Sequence, residues 1–322
     1  MSAATAVFAP VSSGATIVVE GLTKRYKGAE LNAVDGISFS VAPGELFALL
    51  GPNGAGKTTT ISILTTTLSA TSGRATIAGH DLATEASAVR GSVGIIFQKP
   101  SLDQNLTAEE NVRLHAILYR IHPYRPFFSL MPVAYRDRVR ELASILGIEK
   151  EMFKPVKTFS GGMKRKLEIV RSLMHRPQVL FLDEPTSGLD AASRRALWDH
   201  LRAVRSEERT TVFLTTHYLD EAEDADRVCI LNQGRIVAED TPDRVKRALT
   251  GEYLLIDAGD RDALRRELAT GGIPFTETPL FRIPLDDRAT HALLRSIETP
   301  LSVVRTVAPS LEDAYLKVLA QS

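Results

Sequence analysis

The sequence predicts an α/β protein built around a mostly parallel sheet, followed by a smaller α+β unit. Strand-like and helix-like segments alternate through residues 157–247, a pattern typical of parallel sheets. A glycine-rich turn also joins an apolar strand to a threonine-rich helix. The chain has 322 residues, of which 44% are hydrophobic, so it is long enough for one large core and a second small unit.

The first elements can be placed in order from the N terminus. Residues 1–15 are expected to form a flexible tail, and alternating apolar residues then predict strands up to the segment ELFALL. Two further strands are predicted in RATIAGHDL and VGIIFQ. Residues 107–150 are expected to be mostly helical. The segment HPYRPFFSLMP, residues 122–132, has three prolines in eleven residues and must interrupt the helix.

The parallel part continues as helix, strand, helix, strand and helix. These elements are KRKLEIVRSLMHR, QVLFLD, SRRALWDHLRAV, TVFLTT and LDEAEDA. From about residue 251, strands and helices alternate through three further pairs, which is enough for a separate small fold. We therefore expect a main domain at residues 16–247 and an α+β accessory domain at residues 248–322.

Composition and charge exclude several classes of protein. Lysine plus arginine and aspartate plus glutamate both count 39, so the formal net charge is zero and no nucleic-acid partner is expected. One cysteine, Cys229, excludes an internal disulfide framework, and its apolar neighbours predict a small buried side chain. The N-terminal residues lack the pattern of a secretory signal, and no apolar run of about 18 residues predicts a membrane span. A cytoplasmic location is expected.

The glycine-rich turn has the spacing of a phosphate-binding loop, G-x-x-x-x-G-K-[ST]. Its glycines allow backbone N–H groups to surround phosphate oxygens, Lys57 supplies a positive charge, and Thr58 offers a hydroxyl to Mg²⁺. The helix that follows directs its positive end at the anion. The alternative is a turn that binds nothing. The candidate ATP-binding residues here are Gly51, Pro52, Asn53, Gly54, Ala55, Gly56, Lys57, Thr58 and Thr59.

A second group of candidates follows the apolar run QVLFL. Asp183 and Glu184 lie at the carboxyl end of a predicted buried strand, where open α/β sheets bind ligands. Asp183 is a candidate Mg²⁺ ligand. Glu184 is a candidate general base that orients and deprotonates water. The alternative is a polar strand end without a chemical role.

A second anion site is predicted at the segment FSGGMKRKLEI. Ser160 and the backbone N–H groups of Gly161 and Gly162 open a helix there. SGGMK resembles the signature motif of ABC ATPases, usually written LSGGQ, with Phe159 in place of leucine and Met163 in place of glutamine. The basic residues 164–166 that follow are expected to form one solvated or interfacial helix turn. The alternative is that they favour nearby anions.

The resemblance covers residues 16–247 and implies an ABC-type P-loop NTPase, with an antiparallel β subdomain and a helical subdomain. It also implies roles for four further residues. Tyr26 matches the aromatic that stacks on adenine, and Gln98 the glutamine that contacts Mg²⁺ and the attacking water. Asp190 matches a residue of the loop that couples the two ATP sites across the dimer. His217 matches the histidine that contacts the γ-phosphate.

The same resemblance implies partners. In the family, the signature of one subunit closes over ATP held by another, so a second copy of the chain or a close relative is expected. FQKPSLDQNLTAEENVRLHAILY and PSLEDAYLKVLA resemble segments of ATPases from drug-resistance and sodium-export transporters. This implies an ATP-hydrolysing subunit of an exporter of drugs, amphipathic molecules, ions or polymers. It also implies a separate integral-membrane permease and a peripheral location on the cytoplasmic face of the inner membrane.

Three alternatives stay open from the sequence. The chain can serve an importer, because the sequence of the ATPase subunit does not indicate the direction of transport. It can be a soluble ABC ATPase acting on ribosomes or DNA, although it lacks a second ATPase domain, long heptad runs and cysteine clusters. It can also use ATP only as a switch. The proline-rich segment 122–132 is expected either to contact the permease or to fold onto its own helices.

Overall fold

A computed structural model of the chain describes residues 14–97, 101–187, 189–216, 218–250, 253–277, 279–285, 290–307 and 310–320. The chain forms two compact units that divide between Glu239 and Asp240. The helix at Pro242–Thr250 therefore belongs to the second unit, where it packs on the last helix. Of the expected tail, residues 1–13 lie outside the described residues. No helix among the described residues is long and apolar enough to cross a membrane.

The main unit contains strands β1–β10 and helices α1–α7. The strands are β1 (Ile17–Lys24), β2 (Val34–Val41), β3 (Leu46–Leu50), β4 (Ser72–Ile77), β5 (His80–Asp81), β6 (Val93–Ile96), β7 (Val179–Asp183), β8 (Thr211–Thr216), β9 (Arg227–Asn232) and β10 (Arg235–Asp240). The helices are α1 (Lys57–Leu64), α2 (Ala86–Ser92), α3 (Ala108–Leu118), α4 (Val133–Ile145), α5 (Gly161–Leu173), α6 (Ala191–Glu208) and α7 (Leu219–Glu223).

Two sheets organise this unit. The larger has the order β10-β9-β3-β8-β7-β6, and the pairs β3–β8, β3–β9, β7–β8 and β6–β7 are parallel. The second, β2-β1-β4-β5, is antiparallel. Both the mostly parallel sheet and the antiparallel β subdomain are therefore confirmed.

The core lies between these two sheets. Strands β3, β7 and β8 are buried along their whole length, as near-continuous apolar runs in parallel sheets usually are. Phe39 on β2 stacks on Phe47 of β3 with ring centroids 5.4 Å apart, and Phe213 of β8 stacks on Phe47 at the same distance. Cys229 is fully buried, as predicted. The segment around it forms two strands, β9 and β10, because Gln233 and Gly234 turn the chain with positive φ.

The helical subdomain is interrupted where the prolines predict it. Thr107 begins α3 with a capping box, in which its hydroxyl accepts from the Glu110 N–H and the Glu110 carboxylate accepts from the Thr107 N–H. The proline-rich segment separates α3 from α4 and is partly folded onto its own helices. Met131 is buried and Phe128 packs against Tyr135, whereas other apolar side chains of the segment are exposed.

The second unit has an antiparallel sheet of the order β12-β13-β11-β14. Its elements are α8 (Pro242–Thr250), β11 (Tyr253–Ala258), α9 (Arg261–Thr270), β12 (Thr276–Glu277), β13 (Phe281–Pro284), α10 (Thr290–Arg295), β14 (Leu301–Val307) and α11 (Leu311–Ala320). The strands and helices expected after residue 251 are present, and the short strand β12 is additional. Leu254, Ile256, Leu264 and Phe281 contribute to a core that is separate from that of the main unit.

Candidate functional site

The parallel sheet brings the ends of three strands to one edge. Strand β8 lies between β3 and β7, with Leu50 of β3 opposite Thr216 of β8 and Asp183 of β7 opposite Thr215. Because parallel strands end at the same edge, the glycine-rich turn after β3 and the carboxylates at the end of β7 face the same space.

The glycine-rich turn is shaped by close backbone contacts. Gly56 has a φ of 107°, and a Cβ on it would lie 2.3 Å from the Ala33 carbonyl oxygen. A Cβ on Gly51 would lie 2.3 Å from the carbonyl oxygen of Leu231. A larger residue at either position would force the backbone apart, so the bare backbone that the spacing predicts is required by the fold.

Lys57 begins α1 and is buried, with 6% of its surface exposed. Its Nζ donates to the carbonyl oxygens of Gly51, at 2.6 Å, and Pro52, at 3.1 Å. Burial lowers the pKa of Lys57, while the negative charges of Glu184 and Asp183 oppose that shift. The lysine of the turn and the carboxylates after β7, which are far apart in sequence, therefore act on each other.

Asp183 and Glu184 differ in their surroundings. The Asp183 carboxylate is buried and accepts a 2.6 Å hydrogen bond from Thr215 Oγ1. Burial raises the pKa of Asp183, and the bond from Thr215 limits the rise. Glu184 is only half-buried and has a φ of 46°, in the left-handed region that non-glycine residues avoid. Its N–H donates to the Thr215 carbonyl at 3.0 Å, which holds it beside β8.

The expectation that residues 164–166 form a solvated turn is wrong for Arg165. Its side chain is buried and forms an ion pair with Glu168, with Nη1 and Oε2 2.9 Å apart. The reason is the direction of α5, whose first turns run beside the end of β7, so that the central residue of the basic cluster points inward. Lys164 and Lys166 are half-buried.

Glu221 on α7 is a buried residue of this region that the sequence analysis did not single out. Its carboxylate accepts from Thr186 Oγ1, after β7, and from Thr216 Oγ1, at the end of β8, the latter at 2.6 Å. These two hydrogen bonds connect the loop after β7 to the end of β8, the neighbouring strand. The only signal in the sequence was an acidic residue five positions beyond a buried strand, which by itself is common.

The other predicted residues that the structure describes lie near the sheet edge or on nearby surface. Tyr26 is half-exposed, and its hydroxyl is 3.2 Å from Thr59 Oγ1, so the aromatic ring lies beside the start of α1. Thr58, Asn53 and Gly54 are exposed. Gln98 and His217 lie outside the described residues. Their described neighbours are Phe97, which directly follows β6, and Thr216, the last residue of β8.

The predicted second anion site opens α5 at the surface. Ser160 is exposed, and its hydroxyl accepts from the Met163 N–H at 3.2 Å, as an N-cap residue does. Gly161 is exposed as well. Asp190 is exposed just before α6, and its carbonyl accepts from the Arg194 N–H at 2.9 Å. These residues are open to contact from outside the chain.

Several known proteins share this sequence and architecture. The family model described as "ABC transporter" matches residues 34–187. The daunorubicin resistance ATP-binding protein DrrA3 of Streptomyces coeruleorubidus is 36% identical over 310 residues, covering 93% of this chain and 94% of that protein. The Nod factor export ATP-binding protein I of Paraburkholderia xenovorans is 35% identical over 94% of this chain and 97% of its own length.

Solved structures agree with this result. The structure of an ATP-binding subunit of an ABC transporter matches with a TM-score of 0.62 and 31% identity, covering 72% of this chain and 92% of that chain. A dimeric ATP-binding cassette in a post-hydrolysis state, bound to ADP and Pi, matches with a TM-score of 0.61 and 27% identity, covering 70% of this chain and 98% of its own.

Proposed function

The chain belongs to the ABC transporter family as an ATP-hydrolysing, ATP-binding subunit. From that premise we propose that it powers a separate membrane permease that exports drugs, amphipathic molecules, ions or polymers. The proposal of export rests on the near full-length similarity to two groups of relatives. The names of these relatives refer to drug resistance and to Nod factor export. We assign ATP hydrolysis to the first unit, which ends at Glu239, and treat the second unit, which begins at Asp240, as an accessory domain.

The geometry of the sheet edge supports a division of roles. Lys57, held by two carbonyls and facing two carboxylates, is suited to the β- and γ-phosphates. Glu184 is assigned the role of general base for the attacking water, with Gln98 and His217 as further catalytic residues. Tyr26 is assigned the adenine contact, because its partly exposed ring lies beside the start of α1. Base–aromatic stacking contributes about 1–3 kcal/mol.

The same edge fits a magnesium ion bound together with the phosphates. Mg²⁺ keeps several waters and binds through one or two carboxylates plus substrate oxygens. Asp183, with its carboxylate at the end of β7, and the exposed hydroxyl of Thr58 are assigned as ligands, together with Gln98. When bound, the ion neutralises the developing phosphate charge.

We further assign the exposed start of α5 to a second subunit. Ser160, Gly161 and Gly162 present backbone N–H groups at a helix N terminus, and Asp190 lies exposed before α6. In an ATP-bound pair, the signature residues of one chain would cover the nucleotide of the other. The dimeric cassette among the structural neighbours supports this arrangement.

The proposed function predicts that a permease co-purifies with this chain. The full chain would be tagged in its native cell, the membranes solubilised in mild detergent, and the bound proteins identified. A polytopic membrane protein without its own ATPase domain is the expected partner, and it would place this chain at the cytoplasmic face of the membrane. Recovery of an external solute-binding protein would indicate import. Recovery of only ribosomes or DNA-repair proteins would contradict transport.

The proline-rich segment offers a surface for that permease. Tyr124, Phe127 and Leu130 expose 63%, 66% and 55% of their surfaces, although Arg113 of α3 donates to the carbonyls of residues 125 and 126 and so holds the segment in place. Exposed apolar side chains on an anchored backbone are typical of an interaction site. We therefore assign these three side chains to the permease contact.

Replacing these three residues with serine is expected to lower permease recovery by about fivefold or more, the loss that follows when interface side chains worth about 1 kcal/mol or more are removed. ATP hydrolysis by the isolated chain is expected to stay unchanged, because none of the three lies at the sheet edge. Val304→Ser, which changes an exposed apolar residue of the second unit, is the matched control. Unchanged recovery and unchanged coupled hydrolysis would reject the contact.

A further inference from the structure

Arg165 has a hydrogen-bond acceptor for every donor of its side chain. A guanidinium group carries five N–H donors in a fixed plane. Nε donates at 2.7 Å and Nη1 at 2.6 and 2.9 Å, while Nη2 makes two longer bonds of 3.4 Å each. The acceptors are Pro185 O for Nε, Phe97 O and Glu168 Oε2 for Nη1, and Asp183 O and Glu184 O for Nη2.

These acceptors connect three parts of the main unit. Three of them are the consecutive carbonyls of residues 183–185, which begin at the last residue of β7. A fourth, Phe97 O, follows β6, the strand next to β7 in the sheet. The fifth belongs to Glu168, which is fully buried on the same helix and whose other carboxylate oxygen accepts from the Ser101 N–H at 3.0 Å. One planar side chain thus holds the ends of two neighbouring strands on α5.

The backbone held in this way includes a disfavoured conformation. Glu184 has a φ of 46°, and such a residue keeps that conformation only when its surroundings impose it. On one side, the Glu184 N–H donates to the Thr215 carbonyl at 3.0 Å. On the other side, its carbonyl and those of its two neighbours accept from Arg165. The peptide groups on both sides of Glu184 are therefore fixed.

We propose that Arg165 is a positioning residue for hydrolysis, which holds the backbone of residues 183–185 so that the Glu184 carboxylate is directed at the attacking water. This inference rests on the proposed role of Glu184. It goes beyond that role because it assigns the orientation of the base to a buried side chain of the helix that begins at the signature. Arg165 is buried and acceptors of the chain itself use all its donors, so it acts through Glu184.

Lysine cannot replace the guanidinium group in this position. A lysine keeps the positive charge beside Glu168, but its three donors radiate from one nitrogen and cannot span five acceptors in a plane. Arg165→Lys therefore removes the hydrogen bonds that position residues 183–185. It keeps a cation beside the buried Glu168 carboxylate, which limits the loss of folding stability. Misplacing a catalytic group by about 1 Å can cost about 10²-fold in rate.

The experiment compares full-chain wild type, Arg165→Lys and Arg138→Lys. Arg138 is the matched control, because it is also buried and donates to a carbonyl of α5, that of Leu173 at 2.9 Å, at the end of α5 away from the signature. For Arg165→Lys, kcat is expected to fall about 10²-fold, with the Kd for a fluorescent ATP analogue and the melting temperature close to those of Arg138→Lys. Arg138→Lys is expected to keep the wild-type kcat.

Two outcomes would overturn the inference. One is a wild-type kcat for Arg165→Lys. The other is a loss of kcat that is matched by an equal loss in Arg138→Lys or by a parallel loss of nucleotide affinity, since both indicate a general structural role. Failure of the proposed function can be distinguished from failure of this inference. If the proposed function fails, Glu184→Gln will hydrolyse ATP at an undiminished rate. Failure of this inference alone would leave Glu184→Gln inactive and Arg165→Lys active.

Discussion

Glu184→Gln is expected to bind ATP as the wild type does and to hydrolyse it about 10²–10⁴-fold more slowly, the usual loss when a general base is removed. The substitution keeps the size of the side chain and its backbone contacts with Thr215 and Arg165, but it removes the carboxylate that accepts a proton. Nucleotide binding is expected to persist because Lys57 and the glycine-rich turn are unchanged.

The measurement is steady-state phosphate release together with equilibrium binding of a fluorescent ATP analogue. Glu207→Gln, which changes an exposed glutamate of α6, is the control for loss of one negative charge in the same unit. A wild-type rate of phosphate release from Glu184→Gln would remove Glu184 from the mechanism. Loss of binding together with turnover would show that the carboxylate supports the nucleotide site rather than the chemical step.

Lys57→Ala is expected to raise the Kd for ATP by about 10²-fold, which corresponds to about 3 kcal/mol. Lys57 is buried, its Nζ is held by two carbonyls of the turn, and it faces Asp183 and Glu184. Removing it leaves the phosphates without their cation and leaves two carboxylates close to the anion. Binding and hydrolysis are therefore expected to fall together, in contrast to Glu184→Gln.

Equilibrium titration with ATP and with adenosine separates the phosphate contact from the base contact. Lys57→Ala is expected to weaken ATP binding but to leave the weak binding of adenosine unchanged, because Tyr26 lies beside the start of α1 and is intact. Lys150→Ala, at an exposed position, is the charge control. An unchanged Kd for ATP would contradict the assignment of the turn as a phosphate site.

Local patterns predicted much of the fold. Apolar runs such as QVLFL indicate buried strands because a strand in a parallel sheet is covered on both faces. The prolines of residues 122–132 interrupt the helical region because proline lacks the N–H that a helix needs. The phosphate loop was predicted from spacing, and its glycines are required by the close approach of Ala33 and Leu231. The patterns themselves span only a few residues of chain, whereas the close approach of Ala33 and Leu231 to the glycines comes from distant parts of the chain.

The sequence by itself therefore determined the order of elements, the glycine-rich turn and the carboxylates at the end of β7. Only the tertiary structure decided that the charges of those carboxylates act on Lys57 and that Thr215 hydrogen-bonds to Asp183 and Glu184. It also decided that Arg165 is buried and donates to the carbonyl of Pro185, next to them. These contacts join residues on different strands and helices, so they depend on strand order and on the direction of α5. A basic residue between two lysines looks solvated in the sequence, and it is buried here because five acceptors from three segments converge on it.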